Sequence, residues 1–276
     1  MHELRLGVWI TSGRACVLEG PDHLAVVDPG DEGWPALRRE LRLLGERTGK
    51  PYRWVLVTHA HPDHVAHLEA LRAWAPAAGL VAHARSPLGP DEPVTGRRSL
   101  AAGPGIEALP TPGHSPWGDD LAYWIPSRGV LLSGDLVQPK GETWEQAFYP
   151  SPYPFFTDGD VYTRSLERLL ELPFDLLVTG HREVRAGARA RAWVSLTLRA
   201  IRRVEQAVVR WEGPEDLGEA APRIFRSLCR ERGIPEGTIR ARMAATSGPS
   251  AFERFDLPGI AWYWRKHRGP DRRPSQ

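Results

Sequence analysis

Between residues 59 and 64 the chain places four potential metal ligands, His59, His61, Asp63 and His64, just after the apolar run Trp54-Val55-Leu56-Val57 and Thr58. The run reads as a buried strand. The spacing of Val65, Leu68, Leu71 and Trp74 predicts a helix from about Asp63 to Ala75, stopped by Pro76. The imidazoles and carboxylate therefore crowd the point where a strand passes into a helix. In an apolar interior each of these groups needs a partner, and a bound metal provides one. Three more candidates stand at the ends of apolar runs: His114 after Thr111-Pro112-Gly113, Asp135 after Leu131-Leu132-Ser133-Gly134, and His181 after Leu176-Leu177-Val178-Thr179-Gly180. Each follows a glycine, which permits a sharp turn and close backbone approach. Strands ending side by side bring such loops to one sheet edge.

The rest of the first two thirds reads as short strands and helices in alternation. Residues 15–20 and 23–30 predict a hairpin around Pro21-Asp22, and Trp34, Leu37, Leu41 and Leu44 mark one face of a helix. Further strands are expected near 80–83, 106–109, 121–125 and 130–133, giving a mixed sheet covered by helices. From Gly187 the texture becomes helical. Val194, Leu198, Ile201, Val204 and Val208 line one face of a helix from about Ala188 to Trp211, and a second helix is expected to carry Pro222 in its first turn. The boundary is placed near residue 185, giving a catalytic domain over 1–184 and a small helical domain over 185–276 with a polar, basic, disordered end.

The ordered set resembles the metallo-β-lactamase superfamily in its glyoxalase II-like branch. Five signatures are matched in order across residues 1–184: Asp28 in an Asp-Pro-Gly turn, the His59–His64 cluster, His114, Asp135 and His181. The resemblance implies an α/β (α+β) fold, a four-layer αββα sandwich with metals at one edge. The C-terminal part resembles the small, sometimes winged-helix-like domain attached to related acyl-thioester hydrolases and ribonucleases. By position, the resemblance assigns His59, His61 and His114 to one metal and Asp63, His64 and His181 to the other, with Asp135 between them. Asp63 is also the catalytic candidate, orienting the attacking water. Two zinc ions suit these ligands, though manganese or iron would accept them. The implied activity is a binuclear, metal-dependent hydrolase in which the metals activate a shared water to cleave a small ester or thioester.

Other members of the fold are weighed on the same residues. Antibiotic hydrolysis is disfavoured, because true metallo-β-lactamases are exported and often lack a bridging Asp. A nuclease with a large inserted domain is disfavoured by the 45 residues between Asp135 and His181. A phosphodiesterase or ribonuclease without that insertion remains an alternative, as does a mono-iron persulfide dioxygenase, which shares the ligand motifs. Of the other histidines, His67 lies one turn beyond His64, whereas His83 ends a strand. Trp117 and the aromatic stretch Trp144 to Phe156 fall where substrate loops lie in this family, and the stretch is expected to form a pocket wall or lid.

Composition bounds the setting. No run approaches the roughly 20 apolar residues that span a bilayer, so no membrane partner is expected. The N-terminus lacks the pattern of a secretory signal, and the chain reads as cytoplasmic. Cys16 and Cys229 are the only cysteines, and neither has a partner at metal-ligand spacing. The absence of Asn, with sparse Met and Gln, fits a thermostable protein or a GC-rich genome. Net charge is +2, yet residues 185–276 hold 19 Lys and Arg against 10 Asp and Glu, leaving residues 1–184 net acidic. Glu205, Glu212, Glu215, Asp216 and Glu219 interrupt any basic stripe, so a small-molecule acyl substrate is favoured over nucleic acid. A homodimer is compatible with the sequence.

Overall fold

The computed structural model describes residues 1–13, 15–30, 33–100, 105–138, 151–181, 183–245 and 248–269. Seven strands form one sheet in sequence order: β1 (His2–Arg5), β2 (Val8–Ile10), β3 (Cys16–Glu19), β4 (Leu24–Val27), β5 (Tyr52–Leu56), β6 (Gly79–His83) and β7 (Glu92–Val94). The first four are antiparallel, and β4 to β7 run parallel. A second sheet has the order β13-β12-β11-β10-β9-β8, from β8 (Arg98–Ser99), β9 (Glu107–Pro110), β10 (Leu121–Ile125), β11 (Val130–Leu132), β12 (Leu176–Val178) and β13 (Val184–Ala186). Only β11 and β12 are parallel there.

Alternation along the strands builds two apolar layers. Leu18, Ala25, Val27, Leu56 and Val81 from the first sheet share a core with Tyr123, Ile125, Val130, Leu132 and Val178 from the second. Their neighbours Val17, Leu24, Val26, Val55 and Leu80 point to the opposite face. There they meet Leu37, Leu41 and Leu44 of helix α1 (Trp34–Thr48) and Leu68 and Leu71 of α3 (Leu68–Trp74). Burying a side chain of this size is worth about 1.5–3 kcal/mol, so the paired layers supply a large share of this unit's stability.

The helix expected over 63–75 is two helices. After α2 (Pro62–Val65), the His67 amide donates to the Pro29 carbonyl at 2.9 Å. That amide is thereby turned away from the i−4 carbonyl of Asp63, and the helix restarts as α3. Gly30 makes the close approach possible, since a Cβ there would collide with the Asp63 carbonyl.

The chain forms two compact units, and they do not follow a single cut. One unit comprises residues 1–136 and 172–191, the other 137–171 and 192–276. Within the second unit lie α4 (Gly159–Leu170), most of α5 (Ala188–Val209), α6 (Leu217–Glu231), α7 (Glu236–Met243) and α8 (Leu257–Arg268). The stripe Val194, Leu198, Ile201, Val204 and Val208 is buried. Asp216 caps α6 by accepting from the Glu219 amide, so the helix begins before Pro222 and holds that proline inside rather than in its first turn. Among the described residues this unit has no strand, and the winged-helix alternative gives way to an all-helical unit.

Candidate metal centre

The parallel strands set the site. β4, β5 and β6 end side by side, as do β11 and β12, and the loops beyond these ends carry most of the chemistry. Asp28 follows β4, His59 follows β5, Asp135 lies in the turn after β11, and His181 follows β12. His61, Asp63 and His64 belong to the start of α2, while His114 is in the β9–β10 loop.

The structure brings all seven candidates together. Three groups have ligand atoms lying within 4.8 Å of one another: His59, His61 and His114; His59, His64 and Asp135; and Asp63, His64 and His181. In the first, His61 Nδ1 lies 2.9 Å from His59 Nε2 and 3.2 Å from His114 Nε2. Asp135 reaches outward from the second. Its Oδ1 is 3.3 Å from His64 Nε2, and its Oδ2 is 2.8 Å from His181 Nε2 and 3.7 Å from His114 Nε2. The tight spacing constrains the backbone too, because a Cβ on Gly180 would strike Asp135 Oδ1 and approach His64 Cε1 to 2.5 Å.

Electrostatics divides the imidazoles. Burial, reinforced by the neighbouring His64, holds His59 well below the ordinary imidazole range. Burial likewise lowers His61, against the pull of Asp135. Neutral rings converging on one point each carry a nitrogen lone pair that a cation can take. For His64, burial alone acts downward, but the Asp135 and Asp28 carboxylates outweigh it and raise the ring well above its usual value. Asp135 shows the converse: burial pushes it up, while His64 and then His181 hold it well below the carboxylate range. The donor set therefore fits divalent metal, with neutral imidazoles on one side and an ionised carboxylate between the groups.

Residues behind the candidate ligands orient them. Asp28, the one non-glycine residue with positive φ among those described, accepts from the Thr58 amide and hydroxyl at 2.7 Å each and lies 2.9 Å from His64 Nδ1. A carboxylate at Nδ1 directs Nε2 toward the site. Asp119 and Asp120, absent from the sequence reading, secure the loops that bear His59, His61 and His114. Asp119 accepts from the Ser115 hydroxyl at 2.5 Å and from the Ala60 amide at 3.1 Å. Asp120 accepts from the amides of Gly113, at 3.2 Å, and Ser115, at 3.0 Å. Burial above all, with Asp119 adding to it, pushes Asp120 up to about 8. Two acids just before the wholly apolar strand β10 were the available signal, because carboxylates so placed become buried and must find donors.

Other candidates lie apart from the ligand groups. His67 precedes α3 and packs 6.3 Å from the Trp34 ring. His83 accepts from the Arg85 amide through Nδ1 at 3.0 Å. Trp117 is half-exposed with its ring 5.9 Å from that of His61. The expected aromatic lid falls largely outside the described residues, and its described end behaves differently: Tyr153 and Phe156 are buried within the second unit, Phe156 against Tyr162 and Tyr263.

The family model of the metallo-β-lactamase superfamily matches residues 11–181, more than half of the chain and the stretch that contains every candidate ligand. The chain belongs to the metallo-β-lactamase superfamily. Its similar proteins include the hydroxyacylglutathione hydrolase of Anaeromyxobacter dehalogenans, 36% identical over 116 residues, which are 41% of this chain and 41% of that protein. The hydroxyacylglutathione hydrolase of Methylobacillus flagellatus is 34% identical over 165 residues, 58% of each chain. Both matches thus cover less than two thirds of the relative. A metallo-β-lactamase family protein from Thermus thermophilus has the same fold across 96% of this chain and 95% of its own, with a TM-score of 0.64 at 18% identity. The metallo-β-lactamase fold here is of the α+β class, two mixed sheets with helices and a C-terminal helical region. No described helix is long and apolar enough to cross a membrane.

Proposed function

We propose that the protein is a binuclear metal-dependent hydrolase of small acyl thioesters or esters. The observation that carries this reading is the placement of Asp135, whose two oxygens face His64, His114 and His181 and so address both ligand groups. In this reading His59, His61 and His114 hold one cation, Asp63, His64 and His181 hold another, and Asp135 serves both. Divalent ions such as zinc, when bound, supply Lewis acidity toward a carbonyl or phosphoryl oxygen and lower the pKa of a water.

The chain's own groups prepare that chemistry. Asp28 fixes the His64 ring through Nδ1, while Asp119 ties the His114 loop to Ala60, between His59 and His61. Asp63 is less buried than Asp135, and we assign it the orientation of the attacking water. The similarity to hydroxyacylglutathione hydrolases supports a thioester over a phosphodiester. Purified protein should contain metal and release free thiol from a hydroxyacyl thioester of glutathione. Metal-loaded protein that cleaves neither thioesters nor esters would contradict the proposal. Heat adaptation is a separate reading, supported by the absent Asn, and a melting midpoint above about 65 °C checks it.

A further inference from the structure

The rim of the metal centre carries a cation that the ligand set does not use. β6 lies parallel beside β5, so the loop after His83 emerges at the same sheet edge as His59. Arg85 stands in that loop, exposed, with its backbone anchored by the bond from its amide to His83 Nδ1. Its guanidinium makes no hydrogen bond or ion pair among the described residues, although the arginines at 5, 72, 97 and 98 all find carboxylates in the same unit. The side chain extends toward the His114 loop, where Nη1 lies 3.4 Å from the position of a Cβ on Gly118. Gly118 adjoins Trp117, whose half-exposed ring meets the His61 ring at 5.9 Å. A free guanidinium and an exposed indole thus flank one lip of the centre, in a region of the sequence that is net acidic.

We propose that Arg85 and Trp117 form the subsite for the thiol half of the substrate, with Arg85 pairing a carboxylate or phosphate and Trp117 covering the adjoining apolar chain. The assignment rests on the thioester reading above and names the substrate class within it: acyl thioesters whose thiol component is anionic. A guanidinium suits this role because its planar fork binds carboxylate and phosphate through paired N–H groups. Trp117 acts without regard to charge.

The test compares two thioesters with the same hydroxyacyl group, one on glutathione and one on N-acetylcysteamine, which has no anionic group. For the glutathione thioester, Arg85→Gln should raise KM about 5- to 10-fold with kcat unchanged, and added salt should narrow the gap from wild type. KM for the neutral thioester should stay within about 2-fold, and Arg85→Lys should recover part of the loss. Trp117→Ala should raise KM for both. The assignment is overturned if Arg85→Gln leaves both KM values unchanged or raises them equally while wild type cleaves both substrates. Metal-loaded wild-type protein that cleaves neither thioester overturns the thioester reading itself, and the subsite with it.

Discussion

The two units each bury a carboxylate, and the two are satisfied in different ways. In the helical unit Asp256 is fully buried and closed: it accepts from the Ser151 hydroxyl and from Arg242 Nε at 2.5 Å each, and Tyr153 donates to its backbone carbonyl at 2.9 Å. The carboxylate meets one cation and one hydroxyl group, and the second hydroxyl holds the backbone beside it. At the sheet edge Asp135 faces three imidazoles, each of which also belongs to a ligand group. His64 Nε2 is buried there with no hydrogen-bond partner among the described residues. A closed cluster stabilises a fold, whereas imidazoles gathered on a buried carboxylate with a ring nitrogen left unbonded form a set that fits a bound cation.

Substitution should separate the clusters by what is lost. Asp135→Ala is expected to abolish bound metal and turnover while the protein stays folded, read by elemental analysis, assay and circular dichroism; retained metal and activity would remove the contrast. Asp256→Ala should act on stability, costing about 3–5 kcal/mol because the buried Arg242 loses its partner. Denaturant titration measures that loss, and metal content per folded molecule should not change. Next in size is the support behind the ligands. Asp28→Asn or Asp119→Asn should weaken metal affinity about 10- to 100-fold, read by competition with a chromophoric chelator.

The smallest effect expected is at a partly buried counterpart. Glu205 accepts from Lys266 at 2.9 Å and lies 2.8 Å from His267 Nε2. Burial pushes this carboxyl upward, but Lys266 and then His267 outweigh it and hold it below its ordinary 4.5. A lowered folded-state pKa contributes stability above pH 4.5 that is lost as pH falls through the folded value. At pH 7 Glu205→Gln should therefore lower the melting midpoint by about 1–4 °C, allowing for solvent screening, and the difference should shrink below about pH 4.5. A constant difference across pH would assign the effect to packing.

How legible these features were depended on whether their signal was local. The seven ligand candidates were visible because His and Asp after Gly at strand ends are chemically conspicuous, and β10 was legible to the residue because every side chain in Leu121–Ile125 is buried. The N-terminal strand β1 was missed, since His2–Arg5 shows no apolar alternation and its pairing with β2 is what makes it a strand. The break between α2 and α3 was hidden for a similar reason. It depends on the Pro29 carbonyl, far earlier in the chain, capturing the His67 amide. Asp119 and Asp120 looked like ordinary turn acids, and only the folded loops supply the amides that make them supports. In the C-terminal part, periodicity gave the buried stripe of α5, while the start of α6 turned on the Asp216 cap.

The claim on which the rest depends is that the sheet-edge cluster is a site for two metal ions. Titrating chelator-stripped protein with zinc in a calorimeter tests it directly, with Asp135→Ala and Asp256→Ala run alongside. The account predicts two equivalents bound by the wild type, two by Asp256→Ala so long as it is folded, and loss of both by Asp135→Ala. A wild-type stoichiometry of zero or one, or two equivalents retained by folded Asp135→Ala, would contradict it.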